Sequence, residues 1–427
     1  MLYKDYLLNK RQYQADGHQL LLERKHACLF YKPGKGKTYP CIDALRDVAD
    51  EIEWKEHRNI KALILSTADA IRNMWEAEIV PQGILPKGTV LMTVNAAIRD
   101  DRKAALLKTK WDVVIVDESH KIKSNTTKIS KLVHQLTKRA TYAWGLTGTP
   151  RGNSDLDIFC QFHNLNIGDW GAVSYTMFVD QCCDVEQKFF GATRFKVPIG
   201  INHRYLAGWE RNLAMYSQRV WYDEDDDMPE LEVDVIKLPY EKTKEYKDAE
   251  QGVINLSDYS TTMAKLTAIQ KMHQAVNGYL YLDGEDKKRI HKFQHNIKLD
   301  WLRDNVNTNV PITIVYRHIA DLQDLKELYP TATESVNDFK QGKSNILLLQ
   351  CSRCESFNLQ MCHNIIFYTL DYSYIKYNQM VHRCWRTGQE NNVNIKVLVF
   401  DKTIETKIWN TVRNKEKLAD LFMSLKG

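Results

Sequence analysis

The chain has 427 residues, of which 59 are basic and 54 are acidic, so that its net charge is +5. This small excess of positive charge is only a weak indication of a polyanionic partner. A hydrophobic content of 44% and a charged content of 26% are those of a soluble globular protein. The length is too great for one core and predicts two domains of about 200 residues each.

The sequence carries no membrane or secretion signal. No window approaches the roughly 18 consecutive apolar residues of a membrane-spanning helix, and the N-terminus has charges where a signal peptide has its apolar run. We therefore expect a cytoplasmic protein without membrane contact. Nine cysteines in such a chain predict reduced thiols rather than a disulfide framework. Cys351 and Cys354 form a CxxC pair ahead of Cys362 and His363, but no second pair completes a zinc site.

Short apolar runs alternate with helical stretches along the whole chain, which is the pattern of parallel sheets covered by helices on both faces. In the first half the predicted strands are residues 27–31, 62–66, 90–94, 112–117 and 141–146. In the second half they are residues 312–316, 346–350, 364–368 and 395–400. The fold class is therefore predicted to be α/β, with two tandem lobes, each a mainly parallel sheet.

A change in composition marks the boundary between the lobes. An acidic run at residues 223–227, followed by Pro229, predicts a crossing from a first lobe (1–222) to a second (223–427). Residues 241–295 are polar and are predicted to be helical, with interruptions at Gly278 and at the turn of residues 283–284. We expect this segment to be a helical insertion in the second lobe.

A glycine-rich string, GKGKT, follows the first predicted strand. Gly34 and Gly36 leave the backbone N–H groups free to close around phosphate oxygens, and the N-terminus of the next helix faces the same charge. Lys37 is predicted to neutralise the outer phosphates and Thr38 to bind Mg²⁺. The string lacks the first glycine of the longer phosphate-loop motif, because Tyr31 stands in its place. Taken alone, it could also be an ordinary basic turn.

Two further strings follow predicted strands of the first lobe, at the edge where ligands bind in such sheets. In DESH, Asp117 is predicted to reach the metal ion and Glu118 to polarise a water for attack on the terminal phosphate. In GLTGTP, the hydroxyls of Thr147 and Thr149 lie in a glycine-kinked loop that could sense the phosphate. The three strings together predict hydrolysis of ATP with Mg²⁺.

The second lobe supplies a basic string. Arg383 and Arg386 are three residues apart, so we expect both guanidinium groups to project from one face of a helix, with Gln379 one turn earlier. Such cations stabilise charge on a transferring phosphoryl group. The alternative is a basic helix face exposed to solvent.

In this order the strings resemble the Swi/Snf-related branch of the superfamily-two helicases, a family of double-stranded DNA translocases that includes chromatin remodellers and bacteriophage proteins. In the first half the similar motifs are Tyr13, Gln14 and Gly17, the phosphate loop 34–38, Trp75 with Glu78 and Ile79, DESH with residues 121–123, and TGTP at 147–150. In the second half they are SFNL at 356–359, the string 379–389 with its terminal Gly388 and Gln389, and TIE at 403–405.

The resemblance covers almost the whole chain and implies two RecA-like lobes with ATP bound between them. It implies that Tyr13 and Gln14 read adenine, and that Gly34, Lys35, Gly36, Lys37 and Thr38 hold the phosphates and Mg²⁺. It further implies that Arg383 and Arg386 complete the site from across the cleft and that Thr147, Thr149, Ser356 and Asn358 couple the lobes. Lys123 and Asn125 are the implied contacts to DNA phosphates. The chain departs from the family pattern at Pro33, Lys35, Ser119, Ser356 and His382.

These observations predict an ATP-dependent double-stranded DNA translocase that moves along DNA and remodels or displaces bound proteins. Three alternatives stay open, namely a strand-separating helicase, the motor subunit of a larger replication, restriction or defence complex, and a non-enzymatic scaffold that binds DNA and uses nucleotide only as a switch. We expect a monomer that binds duplex DNA mainly through its phosphates and is targeted by a protein partner. If the protein is phage-encoded, it would act in the host cytoplasm.

Overall fold

The computed structural model describes residues 2–151, 155–190, 193–221, 229–254, 262–282, 289–353, 358–386 and 389–414. The chain divides into two compact units, Met1–Asp226 and Asp227–Gly427. Each unit is built around its own parallel sheet. The expected crossing at the acidic run 223–227 lies outside the described residues.

Unit 1 is an α/β unit with a six-stranded parallel sheet in the order β3-β2-β4-β5-β1-β8. Its strands are β1 (His26–Tyr31), β2 (Ala62–Ser66), β3 (Thr89–Thr93), β4 (Val113–Asp117), β5 (Tyr142–Leu146), β6 (Cys183–Phe190), β7 (Thr193–Ile201) and β8 (Ser217–Val220). Its helices are α1 (Tyr3–Leu8), α2 (Gln12–Arg24), α3 (Thr38–Glu56), α4 (Ala68–Ala70), α5 (Val94–Ala97), α6 (Asp100–Lys108), α7 (Lys128–Thr137), α8 (Leu156–Asn164), α9 (Tyr175–Cys182) and α10 (His203–Tyr216). A π-helix (Ile71–Ile79) continues α4, and 3-10 helices span Val80–Gln82, Ser119–Ile122 and Gly168–Gly171.

The central strands of unit 1 are apolar along their whole length because helices cover both faces of the sheet. Every residue of β2 and of β4 is buried, and the two strands pair in parallel with Ala62 beside Val113. The five predicted strands of this half are confirmed, each within one residue at either end. The sixth, β8, escaped prediction because it is a four-residue edge strand of sequence SQRV. Strands β6 and β7 form a separate antiparallel ribbon.

Unit 2 is also α/β, with a five-stranded parallel sheet in the order β13-β12-β14-β15-β9. Its strands are β9 (Leu231–Leu238), β10 (Tyr279–Leu282), β11 (Arg289–Lys292), β12 (Ile312–Tyr316), β13 (Ile346–Gln350), β14 (Asn364–Phe367) and β15 (Val393–Phe400). Its helices are α11 (Lys244–Ile254), α12 (Thr262–Val276), α13 (Lys298–Asn305), α14 (Ile319–Leu328), α15 (Val336–Lys340), α16 (Tyr374–Cys384) and α17 (Ile404–Arg413), with a 3-10 helix at Cys351–Arg353. The expected fold class, two lobes with mainly parallel sheets, is confirmed.

The segment 241–295 differs from the helical insertion that its composition predicted. Helices α11 and α12 are present, but β10 and β11 follow as an antiparallel pair. Tyr246, Met272 and Val276 are fully buried in the main core of unit 2. The segment is therefore an integral part of the core. Its burial was not predicted because the segment also has many polar residues, which occupy its outer faces. The turn predicted at residues 283–284 lies outside the described residues.

A fully buried ion pair joins several elements of unit 2. The Lys298 ammonium, on α13, donates to Glu405 Oε1 at 2.6 Å, to the Tyr368 carbonyl at 2.9 Å and to Asn277 Oδ1 at 3.1 Å. The Asn277 amide also donates to Glu405 Oε1, at 3.0 Å. Burial by itself raises the pKa of Glu405, but Lys298 and His273 together lower it to about 2. The glutamate of the TIE string is thus the centre of a folding contact.

Two expectations from the sequence concern membrane-spanning helices and metal sites. No described helix is long and apolar enough to cross a membrane. In the same part of the chain, no three His, Cys, Asp or Glu side chains are gathered as a metal cluster. The described cysteines are buried and free, while Cys354 lies outside the described residues. Location in the cytoplasm stays a prediction.

Candidate active site

The GKGKT string forms a tight loop between β1 and α3. Gly34 has φ of 90° and Gly36 has φ of 70°, both in the left-handed region that favours glycine. A Cβ on Gly36 would lie 2.7 Å from Nε2 of Gln14, so the close approach of this side chain also requires glycine. Helix α3 begins at Thr38, directly after the loop, and directs its N-terminus toward the loop. The geometry is that of an anion-binding turn.

The first turn of α2 holds the phosphate loop through hydrogen bonds to the Lys35 carbonyl. The Tyr13 hydroxyl donates to the Lys35 carbonyl at 3.2 Å, and the Gln14 amide approaches the same carbonyl at 3.3 Å. Gln14 Oε1 in turn accepts the backbone N–H of Arg11 at 3.0 Å. The Lys35 ammonium lies 5.9 Å from the centre of the Tyr13 ring. Three predicted site residues are therefore in contact, while their role toward adenine stays a prediction.

Asp117 is held rigidly at the end of β4. Its Oδ2 accepts the Ser66 hydroxyl at 2.9 Å and the Trp75 indole N–H at 3.2 Å, and its Oδ1 accepts the backbone N–H of Glu118 at 3.0 Å. Trp75 is fully buried on the π-helix, a form of helix that is frequent at functional sites. Burial raises the pKa of Asp117, while Lys37 acts in the opposite direction. Ser66 was not predicted from the sequence.

Glu118 has an unusual backbone. Its φ of 54° and ψ of 51° are left-handed, a conformation that costs free energy for a residue with a side chain and that collects at functional sites. The carboxylate places Oε1 3.8 Å from the Lys37 ammonium and Oε2 3.2 Å from His120 Nδ1. The fold thus brings together residues that are 81 positions apart in the sequence, Lys37 and Glu118.

The arrangement fits a magnesium ion. Asp117 and Glu118 are adjacent, nearly buried carboxylates, and Thr38, also nearly buried, begins the helix that follows the phosphate loop. Carboxylate and hydroxyl oxygens suit this hard cation, which is usually held by one or two carboxylates together with substrate phosphates. Thr38 and Asp117 would hold Mg²⁺, which neutralises charge on the phosphates when bound.

The GLTGTP loop contacts both other strings. His120 Nδ1 lies 3.1 Å from the Thr147 hydroxyl and 3.5 Å from that of Thr149. A Cβ on Gly148 would lie 2.9 Å from Cδ of Pro33, so this loop packs directly on the phosphate loop. Because of these contacts, a movement of the DESH string or of the phosphate loop would displace the loop that carries Thr147 and Thr149. A coupling role requires contacts of this kind.

Gln161 is a further link that the sequence strings do not contain. It is fully buried on α8, and its Oε1 accepts the Ser119 hydroxyl at 2.8 Å. Its amide donates to the carbonyls of Pro150 at 2.7 Å and of Asp157 at 3.0 Å. Ser119, a departure from the family pattern, is thereby satisfied by a side chain that also holds the GLTGTP loop. A polar residue within the apolar sequence LDIFCQFHN was the only signal for it.

The two implied DNA contacts lie beside the same helix. The Lys123 ammonium is 3.5 Å from Asp157 Oδ2, and its side chain is partly exposed. Asn125 is half-buried. The Asp157 carboxylate is the less exposed partner of this ion pair, at 13% against 29% for Lys123. Contact of both residues with DNA stays a prediction.

In unit 2, Gln379 and Arg383 lie on α16 and both are nearly buried. The expectation that Arg383 and Arg386 share one face of a helix is wrong, because α16 ends at Cys384. Trp385 is extended, with φ of −87° and ψ of 95°, and its indole donates to the Pro229 carbonyl at 2.7 Å. The chain thus leaves the helix before Arg386.

Gln389 stabilises the segment after α16. Its amide donates to the carbonyls of Gln360 at 2.8 Å, Cys384 at 3.2 Å and Cys362 at 3.3 Å, so it both caps the helix and ties it to the preceding loop. Asn358, predicted to couple the lobes, donates to Gln360 Oε1 at 2.7 Å. Ser356 and Gly388 lie outside the described residues.

The chain is similar in sequence to several known proteins. A model of the SNF2-related domain matches residues 82–188. The chain is 24% identical over 447 residues to the SWI/SNF-related matrix-associated actin-dependent regulator of chromatin subfamily A-like protein 1 of Drosophila melanogaster, covering 95% of this chain and 55% of that protein. It is 21% identical over 403 residues to the uncharacterized ATP-dependent helicase YqhH of Bacillus subtilis (strain 168), covering 83% of this chain and 69% of that protein. The chain therefore spans about half the length of the fly relative.

Among solved structures, the Sulfolobus solfataricus SWI2/SNF2 ATPase core in complex with dsDNA aligns with 97% of this chain and 92% of that chain, at 20% identity and a TM-score of 0.41. The phosphate loop, the paired acids and the parallel sheet of unit 1 define an ATPase of the phosphate-loop class. The family match and the two relatives confirm the more particular resemblance. Over most of its length the chain is similar to Snf2-type, helicase-like ATPases of superfamily two.

Proposed function

We propose that the protein is a DNA-dependent ATPase that moves along double-stranded DNA and thereby remodels or displaces bound proteins. The observation that carries the proposal is the convergence, in unit 1, of the Lys37 ammonium on Glu118 and of His120 on Thr147. A phosphate-binding loop, a catalytic acid and a coupling loop are thus in mutual contact. The fly relative is named a regulator of chromatin and the Bacillus relative an ATP-dependent helicase, which supports DNA and ATP as the two ligands.

Each residue has a defined part in the proposed reaction. Lys37 and the N-terminus of α3 hold the phosphates, and Glu118 accepts a proton from the water that attacks the terminal phosphorus. His120 lies 3.2 Å from Glu118 and 3.1 Å from Thr147, so the loss of the cleaved phosphate can be transmitted from the acid to the GLTGTP loop. Movement of that loop then changes the contacts between the protein and DNA.

The first test is ATP hydrolysis without nucleic acid, with single-stranded DNA and with duplex DNA, using Lys37→Ala to measure any contaminating activity. We expect duplex DNA to give the largest stimulation, and we expect that stimulation to fall steeply with salt because phosphate contacts dominate binding. Stimulation by single strands alone, together with displacement of a labelled strand, would instead identify a strand-separating helicase. Turnover that needs a captured protein partner would indicate a motor subunit of a larger complex.

Replacing Arg383 or Arg386 by alanine is expected to spare ADP binding and to lower turnover by about 10³-fold or more, the effect of cations that act on the transferring phosphoryl group. The measurement is kcat at saturating ATP and duplex DNA, with ADP affinity determined on the same samples. Arg413→Ala is the matched control, since Arg413 is exposed at the end of α17. Normal kcat in both arginine variants would remove them from the mechanism.

A further inference from the structure

Asp43 is a buried carboxylate that receives several hydrogen bonds from a distant part of the chain. It lies on α3 and is 6% exposed. Oδ1 accepts the Tyr3 hydroxyl at 2.5 Å, and Oδ2 accepts the Tyr6 hydroxyl at 2.8 Å and the Lys10 ammonium at 2.7 Å. These donors lie on α1 and in the linker after it, so one side chain fastens the N-terminal helix to the helix that begins at the phosphate loop.

Aromatic packing surrounds the same contact. The ring of Tyr6 stacks on that of Tyr39, one turn before Asp43 on α3, with centroids 4.8 Å apart. The Tyr3 ring is 5.8 Å from that of Tyr6, and the Arg46 guanidinium lies 5.5 Å from the Tyr3 ring. Burial and hydrogen bonding to Asp43 raise the pKa of both Tyr3 and Tyr6 well above its usual range. The hydroxyls therefore remain protonated and donate to Asp43, which docks α1 on α3.

The docking of α1 also restrains the start of α2, whose first turn is held in addition by the Tyr31 hydroxyl, which donates to the Tyr13 carbonyl at 2.9 Å. The Lys10 contact lies immediately before Arg11, whose backbone N–H donates to Gln14 Oε1 at 3.0 Å. That contact orients the Gln14 amide toward the carbonyl of Lys35 in the phosphate loop. Asp43 is thus linked to Gln14 through the Lys10 side chain, the backbone of Lys10 and Arg11, and the hydrogen bond from the Arg11 N–H to Gln14 Oε1.

We propose that Asp43 is a positioning residue for recognition of the nucleotide base: by docking α1 on α3, it holds Tyr13 and Gln14 where they distinguish adenine from guanine. The inference rests on the proposed function and on the contact of Tyr13 and Gln14 with the base of ATP that the family resemblance implies. The groups proposed to hold the phosphates and Mg²⁺ lie apart from this contact: Lys37 is in the phosphate loop, Thr38 is five residues before Asp43 at the start of α3, and Asp117 ends β4. Asp43 therefore governs which base is preferred and not whether phosphates bind.

The Asp43→Asn variant separates recognition of the base from binding of the phosphates. Asparagine keeps the shape of the side chain but replaces one acceptor oxygen with an amide N–H₂ group, which cannot accept from Tyr6 or Lys10 and loses the charge that attracts Lys10. The linker before α2 is then released, and the first turn of α2 is no longer fixed. The contacts made by the phosphate loop itself stay intact.

The test is the binding of ADP and of GDP, each with Mg²⁺, to the full chain by titration calorimetry. In the wild type we expect ADP to bind more tightly than GDP. In Asp43→Asn we expect ADP affinity to fall about tenfold, the loss of one or two hydrogen bonds, with GDP affinity unchanged. Asp47→Asn is the matched control, because Asp47 lies one turn further along α3 and pairs with His18 of α2 at 2.8 Å in an exposed contact.

Each outcome decides the proposal. Equal loss of ADP and GDP affinity would show a merely structural contact and overturn it, as would a wild type without preference for ADP. If Asp43→Asn does not fold, the Tyr3→Phe/Tyr6→Phe variant removes two donors and keeps the rings, and the same loss of ADP preference is expected. The measurement needs neither DNA nor turnover, so failure of duplex DNA to stimulate the wild type would overturn the translocase and leave this result standing.

Discussion

The Glu118→Gln variant is expected to bind ATP and to hydrolyse it about 10²- to 10⁴-fold more slowly than the wild type, the usual effect of removing a general base. Glutamine preserves the shape of the side chain but cannot accept a proton from the attacking water. The phosphate-binding elements, Lys37 and the N-terminus of α3, are unchanged, so ATP affinity is retained. Lys37→Ala, in contrast, is expected to lose hydrolysis because the outer phosphates are no longer neutralised.

The measurement is single-turnover hydrolysis of ATP with duplex DNA, together with the Kd of ATP for each variant. Glu76→Gln is the matched control. This substitution makes the same chemical change outside the site, because Glu76 is exposed on the neighbouring π-helix. Wild-type turnover by Glu118→Gln or by Lys37→Ala would show that the reaction does not use the residues assigned here.

The second large effect concerns the buried pair Lys298 and Glu405. Either Lys298→Met or Glu405→Gln is expected to destabilise the protein by about 3–5 kcal/mol, because each leaves one uncompensated charge in the interior. The double variant is expected to be more stable than the sum of the two single effects predicts, since it leaves no buried charge. Arg303→Met is the control: its partner Asp300 lies at 3.0 Å in an exposed pair, for which less than about 1 kcal/mol is expected.

Calorimetric unfolding of the four forms of the full chain measures this coupling. Additive effects in the double variant would contradict a tightly coupled pair. A single variant too unstable to purify would still leave the double variant to compare with the wild type.

The same pair predicts a dependence on pH. The pKa of Glu405 is about 2 in the folded protein and 4.5 at its ordinary value. A carboxyl group with a lowered pKa contributes stability that is fully present above pH 4.5 and is lost as pH falls through 2. The stability advantage of the wild type over Glu405→Gln should therefore shrink between pH 4.5 and pH 2. An advantage that stays constant over this range would show that Glu405 is not charged in the folded state.

The sequence was sufficient for the elements whose signal is local. The strands of both sheets were predicted because fully buried parallel strands such as β2 and β4 leave continuous apolar runs. The phosphate loop was predicted because its glycines are needed for left-handed backbone, as the φ of Gly36 shows. Edge strands were missed because β8 and β9 are only partly buried and carry polar residues.

The candidate site was predictable where function requires a fixed residue type at a fixed spacing. Lys37, Asp117 and Glu118 could be named because nucleotide chemistry needs these groups after strands. Their supporting residues could not, because a buried donor or acceptor can come from any element that folding brings near. Gln161 and Asp43 lie on helices whose sequences do not show which distant side chain they will meet.

Arg386 and the TIE string are two places where the local sequence pattern did not predict the structural role of a residue. Spacing alone placed Arg386 on a helix with Arg383, but α16 ends at Cys384 and the next residue, Trp385, bonds to Pro229, which is 156 residues away. The TIE glutamate appeared to be a family marker, and its contact with Lys298 makes it a folding residue.

The sequence by itself thus indicated the class of protein, the order of most strands along the chain and the candidate residues of the phosphate site, because periodicity and short motifs are local properties. Only the tertiary structure decided which side chains hold Asp117, where α16 ends and which buried charge balances Glu405. Hydrogen bonds and ion pairs in a low-dielectric interior depend on distance in space, and residues such as Ser66 and Asp117 are 51 positions apart when they meet.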